Sequence, residues 1–226
     1  LIGLVGSEMC IRDRAIVDPE LMYSMPKGLT AATGMDALTH AIESYITPGA
    51  WVMSDMFELK AIEMIAQNLK AAVDNGKDVA AREAMSQAQY IAGMGFSNVG
   101  LGIVHSMAHP LGAFYDTPHG VANALLLPYV MEYNAESPAA PKYIHIAKAM
   151  GVDTTGMSEA EGVKAAIEAV KALSISINIP QKLHEINVKE EDIPALAVAA
   201  FNDVCTGGNP RPTSVADIEA LYHKAF

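Results

Sequence analysis

Leu29-Thr-Ala-Ala-Thr-Gly-Met-Asp-Ala-Leu-Thr-His-Ala-Ile-Glu-Ser-Tyr-Ile-Thr-Pro-Gly49 is the stretch whose reading decides the fold class. Leu38, Ile42, Tyr45 and Ile46 recur at the period of a helix, and Thr47-Pro48-Gly49 stops it. The same rhythm continues downstream. Asp55 can cap a second helix that carries Leu59, Ile62, Ile65 and Leu69 and ends near Asn75-Gly76. A third is expected over about residues 80–94, with Tyr90, Ile91 and Met94 on one side. Gly95-Phe-Ser-Asn-Val-Gly-Leu-Gly102 then reads as a flexible break. The segment around His105 comes next, then a turn at Tyr115-Asp-Thr-Pro118, with Pro118 suited to the first turn of a helix through Ala122, Leu126 and Leu127. Further helices are expected over about 141–150, 158–174, 190–203 and 213–225. Ser158 with Glu161 forms a capping box, and Ser214 with Asp217 a near equivalent. No strand alternation and no internal repeat interrupt this pattern, so the fold class is all-α, a helical bundle.

Composition narrows the function. The chain has 226 residues, 51% of them hydrophobic, enough for one large domain with a substantial core. Its formal net charge is -11, from 15 Lys+Arg against 26 Asp+Glu, which argues against a nucleic-acid partner. No apolar run approaches the roughly 20 residues that span a bilayer, which argues against a membrane partner. Cys10 and Cys205 read as two free thiols of a cytoplasmic protein. Residues 1–14, LIGLVGSEMCIRDR, match neither the composition nor the rhythm of the rest of the chain and are expected to be a non-native leader, leaving residues 15–226 as the domain proper. No glycine-rich phosphate loop joins a strand to a helix, so no dinucleotide-binding domain is expected within these residues. No Gly-x-Ser-x-Gly elbow favours a serine hydrolase.

The chemistry lies in histidines. Of the 7 His, four occupy two short stretches: Asp36-Ala-Leu-Thr-His40, and His105-Ser-Met-Ala-His109 with Pro118-His119-Gly120 shortly after it. Asp36 and His40 stack on one helical face, and so do His105 and His109. Glu43 shares the face of Asp36 and His40, and taken alone that face reads as the solvated side of an amphipathic helix. The second stretch is different, because between Val99 and Leu127 the only charged residue is Asp116. Imidazoles in so apolar a segment need partners, and a divalent metal supplies one. Imidazole with one carboxylate suits Fe(II), Zn(II), Co(II) or Mn(II), and a site with an open position is a Lewis acid. Two other readings use the same residues: a hydrolase or lyase with Glu43 activating water, and a non-enzymatic helical interaction domain with structural His. Phe96 reads as a pocket wall or a core anchor, and Cys205-Thr-Gly-Gly-Asn-Pro-Arg211 as a pocket lining or a plain connection. His145, His184 and His223 sit among charges and are expected to be solvated.

MDALTHAIESYI (35–46) and VHSMAHPLGAFYDTPHGVANALLLP (104–128) closely resemble signature stretches of the iron-containing alcohol dehydrogenases, and the resemblance extends over nearly all of residues 15–226. Members of that family have an N-terminal α/β domain for NAD(P) and a C-terminal helical domain for the metal. The resemblance implies that this chain is the second, with the first truncated away. It implies metal ligands Asp36, His40, His105 and His119. It makes His109 the residue near the nicotinamide that relays a proton, Leu29 a contact to the cofactor, and Phe96 and Cys205 linings of the substrate pocket. The implied cofactors are Fe(II), with Zn(II) or another divalent metal as alternatives, and NAD(H) in the full-length protein. The implied partners are a small alcohol or aldehyde and a second copy in a homodimer. AGMGFSNVGLG (92–102), AFYDTPHG (113–120) and DVCTGGNPR (203–211) are most similar to the branch of the family that acts on a short hydroxyaldehyde.

Overall fold

A computed structural model of the chain describes residues 16–226. Cys10 and the expected leader therefore lie outside the described residues. Nine α-helices and no strand occur among the described residues, as the sequence pattern requires: α1 Lys27–Ile46, α2 Val52–Asp74, α3 Val79–Val99, α4 Ile103–Tyr115, α5 His119–Asn134, α6 Tyr143–Ala149, α7 Glu159–Ser176, α8 Ile193–Phe201 and α9 Val215–Ala225. No helix among them is long and apolar enough to cross a membrane.

The first helix is the axis of the molecule. It packs against α2 and α3 on one side and α5 on another, while α4 lies between α5 and α8. From Ala37 to Ile46 every residue of α1 except His40 is buried. The expected amphipathic helix with a solvated face is thus corrected to a nearly enclosed one. Small residues allow this: Ala37, Ala41 and Ser44 leave room for neighbours on several sides.

Helix boundaries differ from expectation where tertiary contacts outweigh local signals. The third helix does not stop at Met94. It runs through Gly95 and Phe96 to Val99 and ends at Gly100, whose φ of 84° breaks the helical path. Its glycines each cost about 1 kcal/mol of propensity, which packing along α2 offsets. Asp55 is not the cap of α2. The Ser54 hydroxyl accepts from the Trp51 amide at 3.0 Å, and Asp55 instead takes the Lys142 ammonium at 2.9 Å. Pro118 stands just outside α5 and not in its first turn, so that His119 opens the helix. The eighth helix is shorter than expected, preceded by a 3-10 turn over Glu190–Asp192. Both capping boxes form, with the Ser158 amide donating to Glu161 at 2.8 Å and the Ser214 amide to Asp217 at 2.9 Å.

Two contacts set the position of α1. A Cβ on Gly120 would stand 2.3 Å from the Ala32 carbonyl oxygen, so only glycine lets the start of α5 lie against α1 beside Asp36. At the N-terminal end of α1 Arg82, 1% exposed, reaches from α3. It donates to the Gly76 carbonyl at 3.0 Å, the Thr30 hydroxyl at 2.8 Å and the Met25 carbonyl at 3.1 Å.

Candidate metal centre

Three helices converge on one carboxylate. Asp36 and His40 come from successive turns of α1, His105 from the first turn of α4, and His119 from the start of α5. Asp36 Oδ1 lies 3.8 Å from His105 Nε2, 3.6 Å from His119 Nε2 and 3.8 Å from His40 Nδ1. Asp36, His40 and His105 each present a ligand atom with all three within 4.8 Å of one another. His40 Nδ1 is bonded to the Asp36 carbonyl at 2.8 Å, which leaves Nε2 as its free nitrogen. His119 reaches the group through Asp36 and through Asn123, whose amide donates to Asp36 Oδ1 at 2.6 Å and meets His119 Nε2 at 3.0 Å.

The donor set fits a first-row divalent ion. Ligand atoms about 2.1 Å from such an ion at tetrahedral angles stand roughly 3.4 Å apart, close to the 3.8 Å and 3.6 Å that separate Asp36 Oδ1 from His105 Nε2 and His119 Nε2. One atom is diagnostic. His105 is 1% exposed, and its Nδ1 is held by Glu43 Oε2 at 2.5 Å, yet its Nε2 is buried with no hydrogen-bond partner. A buried nitrogen with an unused lone pair facing a carboxylate is costly unless something electron-poor occupies the gap. Burial holds the His40 and His119 pKa values below the ordinary imidazole value, so both rings are neutral near pH 7. Burial acts the same way on His105, but the bond and charge of Glu43 outweigh it and raise its pKa.

His109 stands apart from this set. Its ring stacks on His119 with centroids 5.3 Å apart and planes 13° from parallel, and its Nδ1 pairs with Asp203 Oδ2 at 2.7 Å. Burial opposes the Asp203 charge, but the Cys205 amide and His109 hold its carboxyl below the usual range. Cys205 lies beyond Asp203. Its thiol is pushed up to about 12 by burial and by Asp203, so it stays protonated. The loop that carries it also meets α4: Thr206 Oγ1 donates to the Ala200 carbonyl at 2.8 Å and lies 2.8 Å from Ser106 Oγ.

Phe96 sits 4.5 Å, centroid to centroid, from the His40 ring. It lines a cavity of about 420 Å³ with Asp36, His40, Thr33, Met25 and Met85; Cys205 does not line it. Leu29, in the first turn of α1, is exposed and roughly 10 Å along the helix from Asp36. His145, His184 and His223 are exposed and far in sequence from the cluster, as expected.

Three site residues escaped the sequence reading. Glu43, read as solvated or as a water-activating base, is 2% exposed and bonded to His105, which removes the feature that would favour a hydrolase. Asn123 carried a usable signal, because it lies one helical turn after His119. Asp203 carried none, since its partner His109 is 94 residues away.

Residues 30–226 match the family model described as "Fe-containing alcohol dehydrogenase family, C-terminal". Over 212 residues the chain is 58% identical to lactaldehyde reductase of Escherichia coli (strain K12), covering 94% of this chain and 55% of that protein. It is 46% identical to NAD-dependent methanol dehydrogenase of Bacillus methanolicus, covering 94% of this chain and 55% of that protein. A crystal structure of 1,3-propanediol oxidoreductase superposes with a TM-score of 0.91 at 47% identity, covering 92% of this chain and 55% of that one. The chain thus spans about half the length of the curated relatives it matches. By the family match and these relatives together, the chain belongs to the iron-containing alcohol dehydrogenase family.

Proposed function

We propose that this chain is the metal-holding, helical part of an iron-dependent, NAD-linked lactaldehyde reductase that interconverts lactaldehyde and 1,2-propanediol. The single observation that carries the metal reading is the unpartnered, buried His105 Nε2 facing Asp36. Asp36, His40, His105 and His119 hold the ion, with Fe(II) favoured by the family and Zn(II) a chemical alternative. Lactaldehyde is favoured because identity to the lactaldehyde reductase is 58%, against 46% for the methanol dehydrogenase. The stretches 92–102, 113–120 and 203–211 point the same way.

When bound, the metal supplies Lewis acidity to a substrate oxygen and NAD supplies the hydride acceptor. The chain's own residues do the rest. Phe96 walls the cavity beside His40 and excludes water from it. Cys205, a neutral thiol outside that cavity, lines the part of the substrate pocket next to Asp203 and His109. Leu29 offers an apolar contact to the nicotinamide dinucleotide, which a separate N-terminal domain of the whole protein holds. Asp203 fixes His109 through Nδ1, leaving Nε2 free to pass the proton that accompanies hydride transfer. The whole protein acts in the cytoplasm as a homodimer, and the present chain alone binds metal without turnover.

Elemental analysis after anaerobic purification with Fe(II) tests this reading. About one metal per chain is expected, lost in His105→Ala. Fusion to an NAD-binding domain should then give lactaldehyde reduction. Equal metal content in both proteins, or none in either, refutes the ligand assignment.

A further inference from the structure

We propose that Glu43 is the positioning residue of the metal centre: a single buried carboxylate on α1 sets the tautomer of His105 and anchors the turn of α4 that carries it. The inference rests on the metal reading above and deepens it.

The geometry is specific. Glu43 Oε1 accepts from the Val104 amide at 2.7 Å, and Oε2 accepts from His105 Nδ1 at 2.5 Å. The two acceptors thus take two donors from adjacent residues of one helical turn. That turn lacks other support. Gly102 stands at the N-cap of α4 with no side-chain cap, and the first turn holds no acidic residue of its own. Glu43 serves in place of both, as a cap and as a negative charge at the positive end of the helix. Among the described residues no Lys or Arg pairs with it; its partners are the amide and the imidazole alone.

Occupation of Nδ1 determines what Nε2 can do. With its proton on Nδ1 and directed at Glu43, a neutral His105 presents a bare lone pair at Nε2, and that atom faces Asp36. Asp36, His40 and Glu43 fall on one face of α1, so one rigid helix supplies two ligands and orients a third on another helix. A glutamine at position 43 cannot do this. Its amide has one acceptor oxygen for two donors. Either the Val104 N–H loses its partner, or the amide NH₂ meets Nδ1 and drives the imidazole proton to Nε2, which closes the ligand position.

The test uses the whole chain, loaded with Zn(II) or Co(II). Chelator competition gives the affinity, and long-range ¹⁵N-histidine spectra of the Zn(II) form report the His105 tautomer. We expect Nδ1 protonated in the native protein. Glu43→Gln should bind metal 10- to 100-fold more weakly at unchanged far-UV circular dichroism, with an altered Co(II) visible spectrum, and Glu43→Asp should recover part of the affinity. A merely structural role would lower the melting temperature without moving the tautomer or the Co(II) spectrum. Binding by Glu43→Gln within twofold of the native protein, or a native His105 protonated at Nε2, overturns the proposal. If Glu43→Gln fails to fold, the native tautomer decides alone. A native chain that binds no metal refutes the metal reading and this inference with it; metal held equally well by both proteins refutes this inference alone.

Discussion

Glu58 predicts an unusual pH dependence of stability. It is fully buried on α2. Ser44 Oγ lies 2.5 Å from Glu58 Oε1 and 2.5 Å from the His40 carbonyl oxygen. The hydroxyl has one hydrogen and the carbonyl can only accept, so both contacts are satisfied only when Glu58 is protonated and donates to Ser44. Its other oxygen, Oε2, has no partner. Burial accordingly raises its pKa from 4.5 to about 8, and the Asp55 charge adds to the rise. Between these values the folded state holds a proton that the unfolded state has released. Stability from this group is therefore greatest below pH 4.5 and declines as pH rises toward 8. The full span corresponds to about 5 kcal/mol at 1.36 kcal/mol per unit, a large share of the 5–15 kcal/mol typical of a domain. Glu58→Gln keeps the shape and cannot ionise. Its stability relative to the native protein should rise by about 2–3 kcal/mol between pH 6 and 8.5. Urea denaturation monitored by circular dichroism at the two pH values measures the gap, in which pH effects common to both proteins cancel. A gap constant to within about 0.5 kcal/mol would refute the assignment of a neutral acid to position 58.

Two other perturbations have definite outcomes. Arg82→Leu removes three hydrogen bonds from a buried cation and strands the Met25 and Gly76 carbonyls, so stability should fall by about 3 kcal/mol or more in urea denaturation. A loss under 1 kcal/mol would show that the Arg82 clamp is dispensable. In the NAD-competent protein, Asp203→Asn should lower kcat by about 10- to 100-fold through misorientation of His109, with metal content unchanged. Steady-state kinetics paired with elemental analysis decides it; unchanged kcat would remove His109 from proton transfer.

Helix identity was legible in the sequence because the apolar period is local. Leu38, Ile42, Tyr45 and Ile46 mark α1, and the Ser158 and Ser214 boxes mark the starts of α7 and α9 to within a residue. Boundaries were less legible where the deciding contact is remote. Gly95 reads locally as a breaker, yet α3 continues through it, because the packing of α3 on α2 is a property of two helices and not of either sequence window. Asp55 reads as a cap because nothing near it in sequence announces Lys142, the partner it takes instead.

The site divides along the same line. His105 and His119 stood out because their nearly uncharged surroundings are visible along the chain, whereas Asp36 and His40 read alone as a solvated face and joined the ligand set through the family resemblance; the fold brings a nitrogen of each of the three histidines within 3.8 Å of Asp36. Their supports are invisible from spacing, since each support comes from a different helix or loop than the residue it serves. Glu43 was assigned to solvent because it shares a helical face with Asp36 and His40. That face is real, but at Glu43 the first turn of α4 meets it, and a carboxylate buried there must find donors. The Val104 amide and the His105 ring are the donors that α4 brings. The same covering that misleads the sequence reading of Glu43 therefore turns it from a surface charge into the group that directs His105 Nε2 at Asp36. Glu43 ties the first turn of α4 to α1 through Val104 and His105, so a change that frees the start of α4 should weaken metal binding in chelator competition while far-UV circular dichroism stays unchanged.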